Sequence, residues 1–206
     1  MSQMDNGIWV GILNRWIFVT IDELRHIDLR GADLYEADLR GADLYEADLR
    51  RADLREADLR GADLYMADLR GADLCNANLR EADLRGADLR RADLRWADLY
   101  VADLYEADLS GADLRRADLR WADLCGADLH QADLRWADLH STRLPAGYRF
   151  IINNCYNITV TPGTVIIGCQ EMSITDWLGE RGLLIAQENN LSAEKIEEYK
   201  KVLTEL

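Results

Sequence analysis

The sequence predicts an all-β solenoid with four sides, and three observations predict it. The triplet Ala-Asp-Leu returns every five residues from Ala32 to Ala137 without a slip, with one Asn variant at Asn78. Ala and Leu are the only positions that stay apolar throughout, while the rest hold mostly Asp, Arg, Tyr, Glu and Gly. A spacing of five fits neither the 3.6-residue period of a helix nor the two-residue period of a strand. It is also far shorter than the repeats of helical solenoids and propellers. A chain that buries Ala and Leu at this spacing turns a corner inside every repeat. Four corners close one coil, and the next coil stacks upon it.

Residues 1–26 precede the repeat and read as an N-terminal β cap. Two short apolar runs, Ile8 to Leu13 and Trp16 to Ile21, flank Asn14-Arg15. A hairpin there covers the open edge of the first coil, which would otherwise pair with another chain. Residues 27–146 hold the repeat, with degenerate units at Ile27-Asp28-Leu29 and Thr142-Arg143-Leu144. They give about six coils and, at the usual strand spacing, a rod of roughly 29 Å. Residues 147–206 lose the repeat and read as a C-terminal strand-plus-helix segment for capping and dimerisation. Strands are expected at Tyr148 to Ile152, Tyr156 to Thr161 and Thr164 to Cys169, with a turn at Pro162-Gly163. Ser173 with Asp176 resembles a capping box before a helix carrying Trp177 and Leu178. Ser192 caps a final helix whose Ile196, Tyr199, Leu203 and Leu206 fall on one stripe. That stripe either packs on the last coil or joins two chains as a homodimer.

The pattern Ala-(Asp/Asn)-Leu-x-x, uninterrupted for 22 copies, resembles the pentapeptide-repeat proteins. The resemblance implies a right-handed quadrilateral β-helix, with the central Leu and the Ala two before it pointing inward. On that reading Leu34, Leu54, Leu74, Leu94, Leu114 and Leu134 form one core ladder.

The chain has 206 residues and a formal net charge of −14. That balance excludes direct nucleic-acid binding, which needs clustered cations. It suits a surface that competes with nucleic acid for a basic partner. No run of 18 apolar residues is present, so no membrane span is expected. The stretch from Gly7 to Ile21 has no basic leader and does not read as a signal peptide. Cys75, Cys125, Cys155 and Cys169 show no paired metal or redox spacing, and a cytoplasmic protein with free thiols is the expectation. Cys155 and Cys169 flank the Pro-Gly turn and would meet across a hairpin.

Residues 20 apart stack on one face, so the outside reads as columns. One face carries Arg30, Arg50, Arg70 and Arg90, with Arg51 and Arg91 at its corner; another carries Arg40, Arg60, Arg80 and Arg120. A third has Tyr45, Tyr65 and Tyr105 beside Glu46 and Glu106. Asp and Arg columns of this kind read first as a solvated, charge-balanced coat. The later coils differ. Trp96, Arg116 and Trp136 share a corner column, the guanidinium placed to stack between two indoles. Val101 and Trp121 share the next corner, with Tyr100, Arg120 and His140 on the face between. Large apolar side chains pointing outward mark these residues as a candidate partner surface, unless the C-terminal segment folds over them.

No chemistry is legible. Catalysis needs convergent groups in a cleft, and a column of Leu and Ala has none. His26, His130 and His140 are dispersed, and no set of three or four metal ligands converges. An enzyme, a cofactor and a metal are therefore not expected. Two readings of function remain. Some relatives resemble duplex DNA in width and charge and occupy the DNA-binding saddle of DNA gyrase and topoisomerase IV, which implies a protein partner of that kind or another DNA-binding protein. The 16 arginines among 27 acidic residues in 27–141 dilute that mimicry. The other reading is a structural or adaptor rod with its specificity in the C-terminal segment.

Overall fold

The computed structural model describes residues 7–12, 15–20, 24, 28–145, 149–152, 157–161, 164–167, 170–173 and 197. The chain divides into two compact units, Met1–Ala146 and Gly147–Leu206.

The repeat builds a β-helix solenoid with a coil of 20 residues, because parallel bridges join each residue before Leu to its counterpart one coil later, from Asp33 with Asp53 to Asp123 with Arg143. Among the described residues the repeat contains no continuous strand. Each side offers only Ala-Asp-Leu before the chain turns, so strand pairing shrinks to one bridge per side. Leu and Ala fill the interior: the ladder Leu34, Leu54, Leu74, Leu94, Leu114 and Leu134 is at most 4% exposed.

The backbone donors of one repeat show why the sequence is so regular. Asp53 N–H donates to Ala32 C=O on the previous coil (2.9 Å), while Leu54 and Glu56 donate to Asp73 and Cys75 C=O on the next (2.7 and 3.1 Å). Ala57 N–H closes the corner onto Leu54 C=O (3.1 Å). The fifth donor, Arg55 N–H, has no backbone partner and is taken by Asp53 Oδ1 at 3.2 Å. All five donors are thus satisfied, as a packed backbone requires. The Asp is therefore part of the fold, since its short side chain places a strong acceptor two residues upstream of that donor. This role goes beyond the solvated coat expected from the sequence.

The corner also has a fixed conformation. The second residue after each Leu has positive φ, from Gly31 to Ser141, including Val101 at 61° and Trp96, Trp121 and Trp136 at 63–66°. Together with the Leu C=O to Ala N–H bond, this is the third position of a type II turn, where φ is positive.

Before the repeat, β1 (Gly7–Ile12) and β2 (Arg15–Thr20) form an antiparallel hairpin, Gly7 opposite Thr20 and Ile12 opposite Arg15. The branched and aromatic residues of both runs favour extended backbone. Leu24 is fully buried. In the second unit, β3 (Arg149–Ile152), β4 (Asn157–Thr161), β5 (Thr164–Ile167) and β6 (Gln170–Ser173) form an antiparallel meander in sequence order. The pair Thr161–Thr164 brackets the predicted turn. Strand β6 is not legible in its sequence; Ser173 is its last residue, opposite Thr164. The helix expected after Ser173 lies outside the described residues. So do Ile196, Tyr199, Leu203, Leu206, Cys155, Cys169 and His26; of the final helix only Glu197 is described, as helical.

Candidate interaction surfaces

The corner positions that hold small residues or acids in the early coils carry indoles later. Trp96, Trp121 and Trp136 are 53%, 59% and 57% exposed, and Val101 is 43% exposed. Arg116 places its guanidinium 4.4 Å over the Trp96 ring. No ring contact joins Arg116 to Trp136, so half of the expected sandwich forms. The fuller sandwich lies one face away, where Tyr100 stands between Arg80 (4.4 Å) and Arg120 (5.5 Å). Tyr100 is half-buried by this packing, while Arg116 and Arg120 remain exposed. The predicted surface residues thus share two neighbouring corners and the face between them.

Charge is distributed unevenly around the coil. An arginine following Leu usually turns back on the Asp two residues before it. Arg40 donates through Nε and Nη2 to Asp38 (2.7 and 2.5 Å), and its Nε also approaches Asp58 of the next coil at 3.7 Å. The same double clasp recurs at Arg50, Arg70, Arg90, Arg95, Arg115 and Arg120. Several of these guanidiniums hold the Asp two residues before them below the usual carboxylate range, as at Asp68 and Asp118. The hydrogen bonds from Arg30 bring Asp28 to about 2, and those from Arg40, Arg50 and Arg55 lower Asp38, Asp48 and Asp53.

The tyrosine face is different. Its column holds Asp43, Asp63, Asp83, Asp103 and Asp123, with Glu46 and Glu106 at the corner, against Arg85 and Arg143 alone. Asp63 has no ion pair; its Oδ1 accepts Tyr65 N–H at 3.0 Å. Tyr45 and Tyr65 stack at 5.7 Å, and Arg85 covers Tyr65 at 5.2 Å. A hydrogen bond to Glu106 raises the Tyr105 hydroxyl above its ordinary range, so it stays a neutral donor. Negative charge therefore concentrates on this face, while the arginine columns of the others are spent on their own aspartates. Sequence reasoning named the columns but did not separate clasped arginines from free ones. The recurrent Asp-Leu-Arg spelling was the available signal.

Among the described residues no group of three or more His, Cys, Asp or Glu is arranged to hold a metal ion. Cys75 and Cys125 are free. Burial pushes the Cys75 thiol up and a hydrogen bond to Asp123 does the same at Cys125, so both stay protonated and poorly nucleophilic. No helix among the described residues is long and apolar enough to cross a membrane.

Comparison with known proteins places these features. The sequence pattern described as Pentapeptide repeats matches in eight copies, over residues 27–65, 67–100 and 102–140. Among solved structures, Rfr23 from the cyanobacterium Cyanothece 51142 is 36% identical over 48% of this chain and 64% of its own, with a TM-score of 0.28. HetL from Nostoc sp. strain PCC 7120, involved in heterocyst differentiation regulation, is 38% identical over 57% of this chain and 74% of its own (TM-score 0.22). Full-length QnrB1, a plasmid-mediated fluoroquinolone resistance protein, is 21% identical over 55% of this chain and 76% of its own (TM-score 0.33). No curated protein matches the chain closely enough to count as a relative.

Proposed function

The chain belongs to the pentapeptide-repeat family, and from that premise we propose that it is a non-catalytic protein-interaction module whose acidic side stands in for duplex DNA. The partner is a basic, DNA-binding protein, with DNA gyrase or topoisomerase as the first to test. The observation that carries this reading is the excess of carboxylates on the tyrosine face, five aspartates and two glutamates against Arg85 and Arg143. Residues 27–141 hold 27 acids and 16 arginines, a net of −11. Stacked as about six coils the repeat is roughly 29 Å long, and a duplex of that length carries about 17 charges. The repeat thus reaches about two-thirds of the charge of DNA, about half of it on the side where arginines are fewest. Such a surface raises the association rate with a cationic saddle and loses its pull as salt rises.

The exposed corner of Trp96, Val101, Trp121 and Trp136 supplies the apolar part of the contact in this reading. A homodimer through the C-terminal stripe would double the acidic surface, and a cytoplasmic location would bring it to DNA-bound partners. A supercoiling assay with the purified full chain tests the reading. Inhibition at micromolar protein, weakening as salt rises, is expected. No inhibition removes gyrase and leaves another DNA-binding protein or the adaptor role.

A further inference from the structure

The corner beside the Arg30–Arg90 column runs Gly31, Arg51, Gly71, Arg91, Gly111, Gln131, one residue per coil. It borders a shallow groove of about 930 Å³ along that face. Gly31, Gly71 and Gly111 line it. A Cβ on Gly71 would meet Arg51 Cγ at 3.8 Å, and one on Gly111 would meet Arg91 Cγ at 3.5 Å. Each arginine stem therefore lies against the bare glycine of the next coil.

Arg51 and Arg91 differ from their neighbours in charge balance. Arg50, Arg70 and Arg90 are clasped by Asp48, Asp68 and Asp88. Arg51 and Arg91 are exposed and form no ion pair among the described residues. Two positive charges thus stand in line at the corner of a face whose column holds six aspartates and four arginines, the most nearly balanced side of an acidic repeat. They are two coils apart, about 9.6 Å at the usual strand spacing. In a polyproline II segment, with three residues per turn, carboxylates at positions i and i+3 lie on one side about 9.3 Å apart.

We propose that this groove binds an extended acidic peptide segment of a partner protein, carboxylates three residues apart meeting Arg51 and Arg91. The occupant is a peptide rather than a nucleic acid for a reason of charge. A duplex brings one negative charge per about 1.7 Å, which a chain of net charge −14 repels, whereas two carboxylates cost little of that repulsion. The site lies on a different face from the one assigned to a basic partner, and the two stand or fall separately.

The test is fluorescence anisotropy of the full chain at low salt with a labelled Gly-Ser-Glu-Pro-Pro-Glu-Ser-Gly peptide, whose prolines hold the extended form. A peptide with adjacent glutamates and a duplex oligonucleotide serve as competitors. Arg51→Gln with Arg91→Gln is the variant, since Gln131 already occupies this corner at φ 59°, and an unchanged melting curve establishes its fold. Weak, salt-sensitive binding is expected, about fivefold weaker in the double variant as two exposed ion pairs imply, and weaker for the adjacent-glutamate peptide. Equal binding by the variant, no binding by the wild type, or preference for the duplex each overturns the proposal.

Discussion

Asn78 accepts the backbone N–H of Arg80 on its side-chain oxygen at 3.3 Å, the same bond that Asp63 makes to Tyr65 at 3.0 Å. One position of the repeat thus gives up its charge and keeps its hydrogen bond. The invariant requirement at this site is an acceptor, and the negative charge is an addition to it.

This separation predicts different outcomes for two substitutions at one residue. Asp63→Asn should leave stability nearly unchanged. Asp63→Ala leaves the Tyr65 donor without its partner and should cost about 1 kcal/mol. Chemical denaturation of both variants measures the difference, and equal losses would show that charge, not the bond, matters there.

The corners predict a gain. Val101 is β-branched and sits at φ 61°, a region costly for such a side chain. Val101→Gly should raise stability by about 1 kcal/mol, offset in part by the greater freedom of glycine in the unfolded chain. The reverse change at Gly41, where a Cβ would meet nothing within 4 Å, isolates the backbone effect: Gly41→Ala should cost a similar amount. Thermal melts of the two variants moving in the same direction would contradict this.

The clasped aspartates predict the acid limb of stability. Their folded pKa values lie below the unfolded carboxylate value, with Asp28 at about 2 and Asp38, Asp48 and Asp53 also lowered by their arginines. Depressed carboxylates contribute stability that is present above pH about 4 and is lost as pH falls towards 2. The melting temperature should therefore be flat from neutrality to about pH 5 and fall below pH 4. A decline centred near pH 6 would point to other groups.

The aromatic corner predicts a change in binding without a change in fold. Trp96→Ser with Trp121→Ser keeps corner conformations that Ser141 already adopts at φ 61°. The circular dichroism spectrum should stay as it is while partner or oligomer affinity drops. Undiminished affinity removes this corner from the interface.

How much of this is legible in the sequence differs by residue. The period of five places Leu34 and its ladder inside, because nothing else in the repeat is invariantly apolar. The roles of Asp53 and Glu56 were harder to read. An aspartate looks like surface charge until the backbone donor two residues on is seen to lack a partner. The positive φ at Glu56 was signalled only by glycines such as Gly41 and Gly61 recurring at the same register. Arg51 and Arg50 are adjacent in sequence and both basic; only the geometry shows that Asp48 holds one and not the other. Strand β6 escaped because Gln-Glu-Met-Ser has little extended preference of its own, and pairing with Thr164–Ile167 supplies it.

The central claim is that charge on the tyrosine face is what a basic partner recognises. Displacement of a fluorescent duplex from DNA gyrase by the wild-type chain and by Asp63→Asn with Asp103→Asn measures it most directly, since Asn keeps the fold-forming acceptor and removes two charges. The account predicts salt-sensitive displacement by the wild type and severalfold weaker displacement by the variant at an unchanged melting temperature. Equal displacement by both, or none by the wild type, would contradict it.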